Sequence, residues 1–155
     1  MLYNLDYRTG INFIKYGFFA KAERKFLEDN LGLSFGFRVD ADSFSEGSSL
    51  TDNFSPRLSL TYNLTKDQTW KINASLGRYY KIPTYTMLGF QNMQRRFVNK
   101  EAKYTSSDHL VAGLEYAPGN ASRITLEGFY KRYSQYPISL IDEVSLANKG
   151  GGFEV

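Results

Sequence analysis

Between Phe54 and Pro83 apolar and polar side chains alternate with a period of two. Phe54, Pro56, Leu58, Leu60, Tyr62 and Leu64 fall on one side, and Ser55, Arg57, Ser59, Thr61 and Asn63 on the other. After Lys66-Asp67-Gln68 the alternation resumes. Trp70, Ile72, Ala74, Leu76, Tyr80 and Ile82 take one face, interrupted by Arg78; Lys71, Asn73, Ser75, Gly77, Tyr79 and Lys81 take the other. Period two is the signature of β-strands, whose successive side chains point to opposite faces. Each run covers about 12 residues, about twice the usual globular strand. At ~3.3 Å per residue and a tilt of ~40° such a strand covers ~30 Å, enough for the ~25 Å apolar band of an outer-membrane barrel. Tyr62 and Trp70 flank the turn, and Phe54, Tyr79 and Tyr80 lie toward the other end, as interfacial aromatic girdles are placed. This hairpin alone fits a water-soluble barrel or sandwich equally well, with its apolar face turned inward.

The rest of the chain repeats the pattern. Ile11–Leu27 sets Ile14, Tyr16, Phe18, Ala20 and Ala22 against Lys15, Gly17, Lys21, Glu23 and Lys25, with Phe13 and Phe19 breaking the polar side. Leu31–Ala41 sets Leu31, Leu33, Phe35, Phe37, Val39 and Ala41 against Gly32, Ser34, Gly36, Arg38 and Asp40. Tyr104–Ala117 and Arg123–Ser139 supply two more strands, with Val111 an exception on the polar side. The connections sort strictly. Those at 28–30, 66–68 and 118–121 are short, the last marked by Pro118-Gly119-Asn120; those at 42–53, 84–103 and from 140 onward are long. Met1–Gly10 reads as irregular, and the end becomes loop-like around Gly150-Gly151-Gly152. In an up-and-down meander every second connection lies at the same edge, so all the short ones share one edge. That is the plan of an outer-membrane barrel, with short periplasmic turns and long extracellular loops. The expectation is an all-β fold, an antiparallel meander of about six long strands forming part of a transmembrane β-barrel.

Composition narrows the field. No run of about 18 apolar residues exists, so no helix is expected to cross a membrane. Mean hydropathy is −0.42, which a barrel tolerates because each strand dilutes its apolar face with a polar one. The net charge of +3 is not a nucleic-acid footprint. The absence of cysteine removes disulfide frameworks and thiolate metal sites. The 12 Tyr and 12 Phe suit two interfacial belts, and also a sugar-binding surface. The first residues, MLYNLDYRTG, lack a basic segment followed by an apolar one, so no signal peptide is expected; an exported chain would then be a piece of something longer.

Several short segments, in order, are similar to the barrel region of TonB-dependent receptors. They are Lys15-Tyr16-Gly17 with Phe19-Ala20, Gly36-Phe37-Arg38 with Asp40, Ser55-Pro56-Arg57, and Ser75-Leu76-Gly77-Arg78-Tyr79-Tyr80 with Pro83 and Leu88-Gly89. Further on come His109, Gly113-Leu114-Glu115-Tyr116, Glu127-Gly128-Phe129-Tyr130-Lys131, Tyr136-Pro137 and Leu146-Ala147-Asn148-Lys149-Gly150. The resemblance implies a barrel of about 22 strands with a plugged lumen. It implies uptake of a scarce ligand, a metal chelate, vitamin or glycan, across the bacterial outer membrane. It also implies an energising TonB complex that acts on the plug. On this basis residues 1–155 are expected to be barrel wall without a plug domain. The partners implied are outer-membrane lipid, the rest of the barrel and its plug, and the imported ligand.

The candidate chemistry is sparse. His109 is the only histidine and follows Ser106, Ser107 and Asp108, but neighbours on a strand face opposite ways and no G-x-S-x-G is present, so an enzyme is not expected. One His and no Cys do not make a transition-metal site. Asp40, Asp42, Glu46 and Asp52 have the oxygen ligands calcium takes, although a solvated acidic loop explains them better. Gly150–Gly152 lacks the Lys-Ser/Thr of a phosphate loop, and the triplets at Asn63, Asn73 and Asn120 match glycosylation acceptors by pattern only. Phe129–Tyr133 mixes aromatic and basic residues, but alternation explains it, with Tyr130 outward, Lys131 inward and Arg132 near the headgroups. No cofactor and no nucleic acid are expected. What remains is the long loop 84–103, where Tyr85, Phe90, Gln91, Arg95 and Arg96 have the aromatic and guanidinium groups that grip a sugar or an anionic chelate. The alternative function is a soluble β-rich module that binds carbohydrate with the same aromatics.

Overall fold

The computed structural model describes residues 8–119, 121–138 and 145. Six strands form one antiparallel sheet in chain order: β1 (Lys15–Phe26), β2 (Leu31–Asp42), β3 (Ser55–Asn63), β4 (Trp70–Lys81), β5 (Thr105–Gly119) and β6 (Ser122–Ser134). β1 and β6 are its edges, so the sheet is an open section of barrel wall rather than a closed barrel. One short helix, α1 (Tyr85–Leu88), interrupts the loop between β4 and β5.

The register explains which side chains share a face. Phe35 lies opposite Ala22 on β1 and Leu58 on β3, while Leu76 lies opposite Leu58 and Leu110. Tyr130 completes the row opposite Leu110. One face is therefore apolar from edge to edge. No second layer covers it among the described residues: Phe18, Phe35, Leu58, Leu76, Leu110 and Tyr130 are all exposed. The polar residues line the other face, and the concavities of the sheet open there, including one of about 390 Å³ walled mainly by Lys21, Ser34, Arg38, Arg57, Ser75 and Tyr79. A soluble sandwich hides its apolar face in a dry centre. Here that face is bare.

The strands differ from the sequence expectation at their ends. β1 begins at Lys15 rather than Ile11, because Ile11 and Phe13 pack into the loop cluster instead. That also explains why Phe13 breaks the polar side of the pattern. Ile82 does not extend the apolar face of β4; β4 stops at Lys81 and Ile82 is buried under the loops. β5 runs through Pro118 to Gly119, with a register shift between Tyr116 and Gly119, so the turn there is tighter than expected. β6 stops at Ser134, short of Ser139. The triplet at Asn120, the final Leu146–Gly150 segment of the family resemblance and Gly150–Gly152 lie outside the described residues.

Both edge strands carry backbone groups with no neighbour in the sheet, and every residue of β1 is exposed. Unpaired edges recruit further strands. Refolded alone in detergent-free buffer, the chain is expected to sediment as oligomers; a dilute, stable monomer contradicts this.

Candidate functional site

Among the described residues the densest packing lies at one end of the sheet, where the loops 42–53 and 84–103 meet. Leu88 and Tyr104 are almost wholly buried, and with Ile82 they form a small core flanked by Ile11, Phe13, Phe44, Tyr80 and Ala102. Phe44 is the bridge between the loops. Its ring meets Phe97 edge-on at 5.0 Å and lies 6.2 Å from Phe13, which in turn meets Tyr85 at 5.5 Å. Glu46 N–H donates to the Lys100 carbonyl at 2.8 Å, and Lys100 Nζ returns to Glu46 Oε1 at 2.9 Å. Gly47 sits so close to Glu101 that a Cβ there would overlap the Glu101 backbone.

A buried polar knot fastens this cap to the sheet. Asp42, the last residue of β2, accepts from the Phe44 and Ser45 backbone N–H groups at 2.8 and 2.7 Å and from the Tyr104 hydroxyl at 2.7 Å. Asn53 Nδ2 donates to the Asp40 carbonyl and to Ser48 Oγ. Burial, and then the hydrogen bond to the Asp42 carboxylate, push the Tyr104 phenol well above its usual range. The four acidic residues that suggested calcium are thus occupied separately. Asp40 holds Arg38, Asp42 holds Tyr104, Glu46 holds Lys100 and Asp52 holds Ser49. Among the described residues no cluster of acidic or imidazole ligands forms a metal site.

The five loop residues singled out from sequence divide into two groups. Gln91, Arg95 and Arg96 belong to a small hairpin closed by a bridge between Gln91 and Phe97, and Phe90 precedes it. Asn92 organises the tip: its side-chain oxygen accepts from the N–H groups of Gln94 and Arg96, and its carbonyl accepts from Arg95, whose φ is 57°. Arg95 and Arg96 are exposed, and no described residue pairs with either guanidinium. Tyr85 opens α1 and leans on Phe13, so half of its surface serves packing. No hydrogen bond or ring contact joins Tyr85 to Arg95 or Arg96.

A second constellation joins His109 and Ser107, which sequence weighed as an enzyme pair and set aside, to Arg57 and Tyr79, which it did not group with them. On the polar face the Arg57 guanidinium lies 4.5 Å over the Tyr79 ring, Tyr79 lies 4.6 Å from the His109 ring, and His109 Nε2 shares a 2.7 Å hydrogen bond with Ser107 Oγ. Asp108 faces the other way and binds Arg78 through two hydrogen bonds of 2.6 and 3.0 Å. No carboxylate hydrogen-bonds the imidazole among the described residues, so nothing orients the Ser107–His109 pair as a third member orients a catalytic serine. The available signal was the period-two spacing of Ser107 and His109. The Arg57–Tyr79 contact needs the register between β3 and β4, which no single strand displays.

The family model described as TonB dependent receptor-like, beta-barrel, matches residues 2–150. No curated protein and no solved structure matches the chain.

Tyr104→Phe is expected to weaken the cap by about 1.5–3 kcal/mol, the worth of a hydrogen bond to a charged group. Trypsin cleavage in the stretch from Arg95 to Lys103 should then quicken about ten- to a hundredfold. Because the folded phenol is shifted upward, its contribution is fully present below the unfolded value of about 10 and fades only as pH rises beyond it. Equal protease protection of wild type and Tyr104→Phe between pH 7 and 9 contradicts this role.

Proposed function

The chain belongs to the TonB-dependent receptor β-barrel family, and from that membership we propose that it builds a wall segment, with its loops, of an outer-membrane importer of a scarce ligand. The ligand class is a metal chelate, a vitamin or a glycan. The observation that carries this reading is the single sheet with one bare apolar face and one polar, concave face. In a bilayer the first meets acyl chains and the second a wet lumen.

The distribution of charge on the apolar face supports it. Arg24 interrupts that face near the turn end of β1, whereas Arg78, Asp108 and Arg132 share one row near the loop end of β4, β5 and β6. A belt level with the membrane crosses tilted strands diagonally, so it runs out toward the turns at one edge and toward the loops at the other. Charges at these two corners flank such a belt and leave its middle apolar. Trp70 and Tyr116, with rings 4.4 Å apart, and Tyr62 mark its turn-side rim. The soluble-module alternative has no account of an apolar face left bare across all six strands.

In this scheme the capped end faces outward, and the Gln91–Phe97 hairpin presents Arg95 and Arg96 to arriving ligand, with Phe90 and Gln91 at its base and Tyr85 anchoring the loop. Energy comes from the TonB complex, acting on the plug.

Two outcomes test the reading. Leu60→Arg should cost about 2–4 kcal/mol in bilayer refolding, while Ser59→Arg, one residue away on the polar face, should cost far less; equal costs contradict the facing. Replacing Arg95 and Arg96 together with Ala should abolish or weaken by about tenfold the capture of whichever ligand the wild-type receptor selects from a panel of chelates, corrinoids and oligosaccharides. Unchanged capture removes these arginines from the site.

A further inference from the structure

One register row crosses the whole polar face: Lys21, Gly36, Arg57, Gly77, His109 and Lys131. Arg57 stands in the middle of it with glycine on both sides. Neither neighbour in the row has a side chain, which leaves room beside Arg57 for the Tyr79 ring. The close neighbours of Gly77 are the Tyr79 ring and the Arg57 side chain itself, so the glycine leaves the floor on which these two stack. Two basic residues beside it are neutralised within the wall: Lys21 pairs with Glu23, and Arg38 binds Asp40 through hydrogen bonds of 2.6 and 2.7 Å. Among the described residues no carboxylate pairs with Arg57. It borders two adjoining hollows of the polar face, about 390 and 250 Å³. A guanidinium held over an aromatic ring is kept in place, and its N–H edge offers two parallel donors, the geometry that suits a carboxylate or phosphate.

We propose that Arg57, held on Tyr79 between Gly36 and Gly77, is an oxyanion-binding site on the lumen wall, taking a carboxylate or phosphate group that enters from the lumen side. The proposal rests on the barrel reading for its direction of approach, and it is a site apart from the Arg95–Arg96 loop. The oxyanion has two sources, an anionic cargo passing through the lumen or an acidic side chain of the domain that fills it.

The test uses the complete receptor, assembled in outer membrane and purified in detergent, with succinate and inorganic phosphate as probes in calorimetric titration. If the site is open to cargo, wild type binds one probe saturably. Arg57→Gln then weakens it by about tenfold to a hundredfold, and Arg57→Lys, which keeps the charge without the fork, falls between. Tyr79→Leu, which removes the stack, weakens binding as Arg57→Lys does. If the source is internal, neither probe binds wild type, but Arg57→Gln lowers the urea concentration that releases the lumen domain to protease. Variants that match wild type in both measurements overturn the site. Proper membrane assembly of these variants, alongside failure of Leu60→Arg to assemble, separates that outcome from a failure of the barrel reading.

Discussion

The unbroken antiparallel register from β1 to β6 is the constraint on which the rest depends. With a side-chain period of two, one register decides the facing of every residue in the wall, and a slip of one residue on any strand would invert it. The same ladder satisfies the backbone donors and acceptors that could find no partner in hydrocarbon. An ordinary domain gains its stability by burying an apolar core between layers. This sheet has no second layer among its described residues, and its apolar side chains remain exposed until lipid, or another copy, covers them.

The dry packing that does exist lies at the loop end. There the fold behaves like a small soluble protein, with Leu88 and Tyr104 enclosed and a carboxylate, Asp42, satisfied by two backbone donors and a phenol. This contrast has a functional sense. On the proposed reading the strands need the membrane to complete them, whereas the loops hold their shape in water, where ligand would be met. Gly47 against the Glu101 backbone, and Lys100 joined to Glu46, tie together loops that are far apart in sequence. The exposed hairpin tip with Arg95 and Arg96 projects from a fixed base.

Much of this was legible in the amino-acid order. Alternation alone sets Leu58 and Leu60 against Arg57 and Ser59, and the sorting of short and long connections yields the meander. The strand ends were not legible in the same way. Ile82 continues the alternation of β4 on paper, but the chain leaves the sheet at Lys81 and the loop cluster takes Ile82 instead. Phe13 looked like an error of facing for the same reason. The long loop lost all periodicity because its order comes from packing against Phe13 and Phe44, which belong to two other stretches of the chain. The Arg57–Tyr79–His109 stack was hidden likewise, since each strand contributes one polar residue and only the register assembles them.

The central claim is that the apolar face meets lipid and the polar face meets water. It is tested most directly by nitroxide labels placed singly at positions 57 to 61 of the membrane-assembled protein, with collision rates measured against oxygen, which concentrates in the acyl region, and against a water-soluble nickel chelate. The account predicts a strict alternation, with positions 58 and 60 relaxed by oxygen and 57, 59 and 61 by nickel. Uniform accessibility along the strand, or the opposite phase, would contradict it.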